Sequence, residues 1–260
     1  MSVFSQFRSR LSAGEILLGP SIGFSDPRVT ESLAPSADFV WLELEHSLVG
    51  PEAVVGHVMA ARGAGVPLLV RIPVGVTALI KPALDSGVQG LIIPQVRSLD
   101  EVRAVVRDVR YAPVGTRGLG PVRPSSYGRL PSGEVIAASH EDVFLAVQVE
   151  TTEALEVVEE IAATPGIDAL VVGPSDLSSA MGLLGQFEHP RMREAIARIV
   201  AAARANGLSV GVGVGDSATA AAMVRQGVQW VQLSGAEAYL WQRFEQLDAE
   251  VRTALGPGTD

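Results

Sequence analysis

The segment FLAVQVETTEALEVVEEIAATPGIDALVVGPSD, residues 144–176, contains two apolar runs separated by a stretch with helical spacing. The runs 144–149 and 169–172 are rich in valine and leucine, which predicts two buried strands, and residues 151–163 between them predict a helix. A strand, a crossover helix and a second strand form the unit from which parallel sheets are built. This segment therefore favours an α/β fold with a parallel sheet.

The same alternation continues along the whole chain. It predicts eight strands, at residues 16–22, 39–44, 67–72, 90–94, 144–149, 169–172, 209–214 and 230–233. Between them lie predicted helices, for example at 51–62, 98–109, 151–163, 190–206 and 217–226. Eight such units in about 250 residues are typical of a (β/α)8 TIM barrel. A doubly wound sheet is the alternative that the pattern leaves open.

The amino-terminal residues predict a short helix that plugs this barrel. Phe4, Phe7 and Leu11 recur at helical spacing, as expected for a helix with one apolar face. No break in composition and no low-complexity linker divides the chain, so we expect residues 1–260 to form a single barrel domain.

Composition excludes several classes of partner and of chemistry. The formal charge of -9 and the pI near 5.0 provide no basic surface for nucleic acid. No apolar run reaches the roughly 20 residues that a membrane helix needs, and no signal sequence is visible, so we expect a cytoplasmic protein without a membrane partner. The absence of cysteine excludes disulfides and thiolate chemistry. The only lysine, Lys81, lies in a predicted helix, which argues against Schiff-base catalysis.

Two carboxylates at predicted strand ends indicate a metal site. Glu150 follows the fifth strand and Asp176 follows the sixth, and barrel loops after the strands share one face. Oxygen ligands without cysteine suit magnesium or manganese, with substrate and water completing the shell. The structural alternatives are that Glu150 begins a helix and that Asp176 caps a short turn.

Other polar residues fall at the same predicted face. Arg71 ends the third strand, where it needs an anionic partner, either a substrate oxygen or Glu43 or Glu45 across the neighbouring strand. His46 has a side chain that titrates near neutral pH and can act as a base, although a hydrogen-bonded surface histidine is the alternative. Ser175 lies in the turn GPSD, whose backbone N–H groups could hold a carboxylate.

An irregular stretch at 111–132, YAPVGTRGLGPVRPSSYGRLPS, follows the fourth strand and its helix. A loop of this length in a compact domain is usually functional or mobile. The alternative is an ordinary surface excursion that carries scattered arginines.

Seven segments together resemble the 4-hydroxy-2-oxoheptanedioate aldolase family, which includes 2-dehydro-3-deoxyglucarate aldolase and is related to the citrate lyase beta subunit. They are DFVWLELEHS, LLVRIP, ALDSGVQGLIIPQV, RYAPVGTRGLGPVRPSSYG, VQVETTEAL, IDALVVGPSDLSSAMG and EHP, in this order from Asp38 to Pro190. The resemblance implies a metal-dependent carbon–carbon lyase of the class II pyruvate aldolase type. Such an enzyme cleaves 4-hydroxy-2-oxo acids reversibly to pyruvate and an aldehyde.

The resemblance also implies roles for individual residues. Glu150 and Asp176 would bind the divalent metal, which is magnesium or manganese with cobalt as a further candidate. Gln148 and Ser175, together with Asp176, would bind the oxo acid, and Arg71 would stabilise its enolate.

His46 would be the acid and base, supported by Asp85. Because Asp85 comes late in the helix after the third strand, it points away from the catalytic face of its own barrel and would reach His46 only across a subunit boundary. The resemblance accordingly implies a homo-oligomer, a hexamer or a trimer.

Two departures from the family pattern concern the site. Glu43 stands where the family usually has aspartate, and VGVGVGDS supplies Gly211, Gly213 and Gly215 where relatives have a larger apolar side chain, which predicts a roomier aldehyde site. Alternative activities are decarboxylation of a 2-oxo acid, cleavage of an acyl-CoA ester, and binding of an oxo acid without turnover.

Overall fold

Eight parallel strands close into a barrel. The computed structural model describes residues 2–120 and 122–255, and each strand pairs with the next, while Leu17 of the first strand pairs with Trp230 of the last. This closure excludes the doubly wound alternative. The strands are β1 Leu17–Ile22, β2 Val40–Glu43, β3 Leu68–Arg71, β4 Gly90–Ile93, β5 Phe144–Val149, β6 Ala169–Val172, β7 Ser209–Val214 and β8 Trp230–Gly235.

Helices surround the barrel and connect its strands. They are α1 Val3–Ser12, α2 Pro27–Leu33, α3 Pro51–Ala64, α4 Thr77–Asp85, α5 Leu99–Val109, α6 Ser132–Asp142, α7 Thr152–Glu156, α8 Val158–Ala162, α9 Pro174–Ala180, α10 Pro190–Ala205, α11 Ser217–Arg225 and α12 Ala236–Leu255, with a 3₁₀ turn at Ala34–Ser36. Within the described part of the chain, no helix is both long and apolar enough to cross a bilayer.

The predicted (β/α)8 barrel is confirmed, and the strands begin and end within two residues of their predicted limits. The helix predicted over 151–163 is instead two short helices, because Val157 leaves the helical region at φ −115° and ψ 24°. The loop between α5 and α6 contains no helix or strand in its described residues, as its glycine and proline content predicts.

Helix α1 closes the amino-terminal end of the barrel. Phe4 and Phe7 are at most 2% exposed and pack with Phe144 and Trp230 from the barrel interior, with ring centroids 5.5–6.3 Å apart. A Cβ at position 90 would lie 2.5 Å from the Phe4 ring, so β4 must begin with glycine for the plug to enter. The predicted plug helix is confirmed.

An ion-pair cluster fastens this plug to the barrel. Asp168, which precedes β6, forms salt bridges with Arg8 of α1 and with the buried Arg110, each at 2.9 Å. Arg8 also donates hydrogen bonds to the carbonyls of Glu141 and Val143. With one end of the barrel filled in this way, the opposite end, where the strands terminate, is left to carry a site.

Candidate active site

Glu150 occupies a closed slot directly after β5. Its side chain is almost fully buried, and its oxygens accept hydrogen bonds from the Gln95 backbone N–H at 2.7 Å and from Gln148 Nε2. Gln95 donates from a left-handed backbone conformation, φ 57°. A Cβ at position 173 would lie 2.5 Å from Glu150 Oε2, so Gly173 makes room for the carboxylate. These contacts fix its direction.

The environment of Glu150 is short of positive charge. Burial raises the pKa of Glu150 to about 7, the hydrogen bonds from Gln148 and Gln95 oppose this shift, and the negative charges of Glu45 and Asp176 add to it. Glu150 directly precedes Thr151, the N-cap of α7, so it also lies at the amino-terminal end of that short helix, as the structural alternative has it.

Asp176 and Ser175 lie in the first turn of α9, and both are exposed. The N-cap of α9 is Gly173, so the cap alternative for Asp176 is wrong. Its negative charge contributes to the raised pKa of both Glu150 and Glu45, so the three carboxylates lie near one another. Ser175 precedes Asp176 in the same turn.

Arg71 is held by two acidic residues from the neighbouring strand and loop. Its Nη2 lies 2.6 Å from Glu43 Oε2 and its Nε lies 3.3 Å from Glu45 Oε2, while the guanidinium stacks over Trp41 at 5.4 Å from the ring centroid. Arg71 therefore forms the salt bridges to Glu43 and Glu45 that were the structural alternative to a substrate contact. A guanidinium fixed on three sides has a defined direction, which is what stabilisation of a substrate oxygen requires.

Glu43 also shapes the loop that carries His46. Its Oε1 accepts the backbone N–H groups of Glu45 at 2.7 Å and His46 at 3.1 Å. The His46 side chain is 61% exposed, with Nε2 3.6 Å from Glu45 Oε2. The Glu43 side chain thus contacts both the loop that follows β2 and Arg71 on the neighbouring strand.

The sequence predicts Glu45 only as an alternative partner of Arg71, and the structure shows that pairing at 3.3 Å. Burial raises the pKa of Glu45 to about 7, Arg71 opposes the shift, and Glu43 and Asp176 add to it. Its Oε2 is buried and accepts no hydrogen bond. The sequence signal was present in the spacing ELE, since Glu43 and Glu45 follow each other by two residues at a strand end.

The residues present fit a divalent cation. Glu150 carries a buried carboxylate on which the negative charges of Glu45 and Asp176 act, and the buried Oε1 of Gln148 and Oε2 of Glu45 accept no hydrogen bond, so a cation nearby would relieve both features. Among the described residues, no group of three or more acidic or histidine side chains is arranged so that it could hold a metal ion by itself. Glu150 and Asp176 would hold the cation, and water or substrate would supply the remaining ligands.

A cavity of about 300 Å³ opens beside Ser175, lined by Gly213, Gly215 and Gln232. A Cβ at 215 would meet no atom within 4 Å, so this position is open space. The expectation for Gly211 is wrong in its detail, because the ring of Trp230 fills the space beside it. Gly213 also lines the cavity, but a Cβ there would lie 2.6 Å from Gln232 Oε1, so Gly215 is the glycine of this segment that borders open space.

Asp85 is not brought to this face. It ends α4, and its carboxylate is bound by the buried Arg117, with Nη2 2.8 Å from Oδ1. The other predicted site residues, His46, Arg71, Gln148, Glu150, Ser175 and Asp176, all lie in or directly after strands β2, β3, β5 and β6.

Comparison with known proteins shows which sequences and structures this chain resembles. The sequence model of the HpcH/HpaI aldolase/citrate lyase family matches residues 23–239. A hydroxypyruvate/pyruvate aldolase of Roseovarius nubinhibens is 38% identical over 217 residues, 82% of this chain and 83% of that protein. A 5-keto-4-deoxy-D-glucarate aldolase of Salmonella paratyphi C is 34% identical over 211 residues, 80% and 81% of the two chains. The crystal structure of an HpcH/HpaI aldolase from Desulfitobacterium hafniense has a TM-score of 0.88 at 30% identity and covers 97% of this chain and 98% of its own.

Proposed function

Because this chain belongs to the HpcH/HpaI aldolase/citrate lyase family and is a carbon–carbon lyase, we propose that it uses a divalent cation to cleave 4-hydroxy-2-oxo acids reversibly to pyruvate and an aldehyde. The observation that carries this proposal is the buried carboxylate of Glu150, fixed in its slot and near enough to Asp176 and Glu45 for their charges to raise its pKa further. Magnesium and manganese suit this set of oxygen ligands.

When bound, the cation supplies Lewis-acid polarisation of the keto group. Glu150 and Asp176 would hold the cation, and Gln148 keeps Glu150 in its orientation by donating from Nε2. Ser175 and the first backbone N–H groups of α9 bind the carboxylate of the oxo acid. Arg71 stabilises the negative charge that develops on the keto oxygen as the carbon–carbon bond breaks.

His46 takes the proton from the 4-hydroxyl group as the bond breaks and returns one in the direction of synthesis. The His46 side chain is exposed, and its Nε2 lies 3.6 Å from Glu45 Oε2, which is too long for a hydrogen bond. The ring is therefore free to contact a substrate at the open face of the barrel. The cavity beside Ser175 accommodates the aldehyde portion.

We also propose that the protein forms an oligomer. Asp85 is the last residue of α4, too far from the active-site face to support His46 of its own chain. In the assembly, Asp85 would approach His46 of the partner subunit. Helix α12 offers a surface for such association, since Leu240, Phe244, Leu247 and Val251 are 43–70% exposed and follow each other at the 4, 3, 4 spacing of an apolar stripe. A trimer or a hexamer would bury this stripe.

The catalytic proposal is tested with Asp176→Asn, which removes a ligand charge and keeps the side-chain size. We expect manganese affinity, measured by electron paramagnetic resonance, to fall at least about a hundredfold, together with the exchange of pyruvate methyl protons in deuterated water. The matched control is Asp100→Asn, at a carboxylate that is 92% exposed on α5, which should change neither. Full exchange activity of Asp176→Asn in the presence of chelator would refute the proposal.

The subunit arrangement is tested by mixing two inactive variants, His46→Ala and Asp85→Ala. If the pair spans two subunits, mixed oligomers contain some sites with both native residues, so activity returns on mixing and subunit exchange. Light scattering gives the oligomeric state in parallel. Mixed oligomers that stay inactive would refute the pairing across subunits.

A further inference from the structure

The cavity of about 300 Å³ beside Ser175 contains an amide side chain that the sequence did not single out. Gln232 is the third residue of β8 and the register partner of Gly213 on β7, and both residues line the cavity. Phe187 and Val214 contribute apolar side chains to the same wall. A few placed polar groups among apolar neighbours are what orients a ligand, so the direction of this amide matters.

One end of the Gln232 amide is fixed by the backbone. Its Nε2 donates a hydrogen bond to the carbonyl of Ser234 at 2.6 Å. Because a carbonyl oxygen can only accept, the nitrogen must lie on that side of the amide and the oxygen on the other. Ser234 has a left-handed backbone angle, φ 60°, which is uncommon for a residue other than glycine and is found most often at functional sites. The amide therefore has one defined orientation.

The other end of the amide is an unused hydrogen-bond acceptor. Gln232 Oε1 lies against Gly213, where a Cβ would be only 2.6 Å away, so glycine at this position leaves room for the oxygen. No described residue donates a hydrogen bond to this oxygen, and unlike Oε1 of Gln148 it is not fully buried. An accessible acceptor in a ligand cavity is matched by a donor on the ligand, and a hydroxyl group is the simplest donor that an aldehyde can carry.

The charge of the cavity is unsuited to an anionic aldehyde. Among the lining residues that the structure describes, none is arginine, lysine or histidine, and Asp216 is the only charged one. The backbone N–H and the hydroxyl of Thr219 each donate to Asp216 at 2.8 Å, and these hydrogen bonds lower the pKa of Asp216, so its carboxylate is ionised at neutral pH. A carboxylate on the aldehyde would be repelled here.

We propose that the acceptor aldehyde is small, uncharged and hydroxylated, and that its hydroxyl group donates a hydrogen bond to Gln232 Oε1. This inference rests on the aldol function proposed above and specifies its aldehyde. A volume of about 300 Å³ is at the lower end for ligand cavities, which suits an aldehyde of about two to four carbons. A methyl group in place of the hydroxyl would cover the amide oxygen and leave it without a partner, so Gln232 determines specificity.

The test compares glycolaldehyde with propanal, which has a methyl group where glycolaldehyde has its hydroxyl. Because the two aldehydes differ in intrinsic reactivity, the measured quantity is the ratio of their kcat/KM values in each protein. We expect Gln232→Met, which keeps the length of the side chain and removes the acceptor, to lower the ratio of glycolaldehyde to propanal about tenfold. Exchange of pyruvate methyl protons in deuterated water involves no aldehyde and should keep its native rate in this variant.

Two further variants separate the role of the amide oxygen from general damage to the barrel. Gly213→Ala retains Gln232 but displaces its oxygen, so the ratio should fall in the same direction. Gln229→Met is the matched control, because Gln229 precedes β8 and its Nε2 donates to the carbonyl of Leu11 at the opposite end of the barrel. This control should keep both the native ratio and the native rate of proton exchange.

The charge of the cavity is tested with Asp216→Asn, which removes the carboxylate and keeps a residue that caps α11 well. We expect this variant to raise kcat/KM for the anionic succinic semialdehyde, relative to glycolaldehyde, about fivefold. An unchanged preference would overturn the exclusion of charged aldehydes.

A crystal soaked with glycolaldehyde in the presence of chelator provides a readout that does not depend on turnover. The hydroxyl oxygen should lie within about 3.0 Å of Gln232 Oε1. The inference is overturned if Gln232→Met keeps the native ratio, or if the hydroxyl in the crystal is absent from the cavity or turned away from Gln232. Absence of pyruvate proton exchange in the native protein would instead refute the aldol function itself.

Discussion

Glu43 and Arg71 face each other at the ends of neighbouring strands, in direct register, with Arg71 Nη2 2.6 Å from Glu43 Oε2. The pair is largely buried, with side chains 9% and 14% exposed. Glu43 also accepts the backbone N–H groups of Glu45 and His46, so a single carboxylate sets the direction of the arginine and the path of the histidine loop. A substitution at position 43 can therefore affect the arginine, the histidine loop or both.

We expect Glu43→Gln to lower the stability of the protein by about 2 kcal/mol, because the buried guanidinium loses its main counter-charge while the amide oxygen can still accept the loop N–H groups. Turnover should fall more than metal affinity, since Arg71 loses the charge that fixes its direction while the environment of Glu150 is unchanged. Urea denaturation and manganese titration measure the two effects. The comparison variant Glu43→Asp retains the charge on a shorter arm, and equal turnover in both variants would contradict the charge argument.

The slot around Glu150 depends on Gly173. A methyl group at this position would lie 2.5 Å from Glu150 Oε2 and 2.6 Å from Glu150 Cβ, so Gly173→Ala must displace the carboxylate. We expect manganese affinity to fall at least about tenfold as the ligand direction changes. Gly63→Ala on α3 is the matched control, since a Cβ there meets no atom within 4 Å. Native manganese affinity in Gly173→Ala would show that the slot does not orient the ligand.

Position 215 provides a test of the proposed aldehyde cavity. Because Gly215 borders this space and a Cβ meets nothing there, Gly215→Leu should fold normally and occupy part of the roughly 300 Å³. We expect kcat/KM to fall about tenfold or more for acceptors larger than three carbons, while acetaldehyde and pyruvate proton exchange are little affected. Progress curves with a series of aldehydes measure this. A uniform loss for every aldehyde would place position 215 outside the acceptor site.

The sequence predicts the barrel well because its buried strands are short apolar runs that end at glycine, proline or charged residues. Glu150, Asp176 and Arg71 are predictable for the same reason, since the strand ends of a barrel converge. The hydrogen bond from Gln95 was not predictable, because it depends on a left-handed backbone conformation at a residue that is not glycine. The burial of Glu45 and the pairing of Asp85 with Arg117 depend on how loops fold back, which no local pattern encodes.

Away from the site, His57 of α3 provides a prediction about pH. It is fully buried, its Nδ1 lies 2.7 Å from the hydroxyl of Thr30, and burial lowers its pKa, an effect that the nearby backbone of Ser25 and Phe24 and the charge of Asp26 partly oppose. A pKa that is lower in the folded than in the unfolded state means that the unfolded chain binds the proton more readily. This contribution to stability is complete above the unfolded value of about 6.5 and is lost as the pH falls through the lower folded value.

We therefore expect the free energy of unfolding to decrease between pH 7 and pH 5, and we expect His57→Gln to show a shallower decrease although it is less stable at pH 7. Urea titrations at several pH values measure both slopes. His140→Gln, at a partly exposed histidine on α6, is the matched control and should keep the native slope. An identical slope in His57→Gln would mean that other groups govern the acid sensitivity of the barrel.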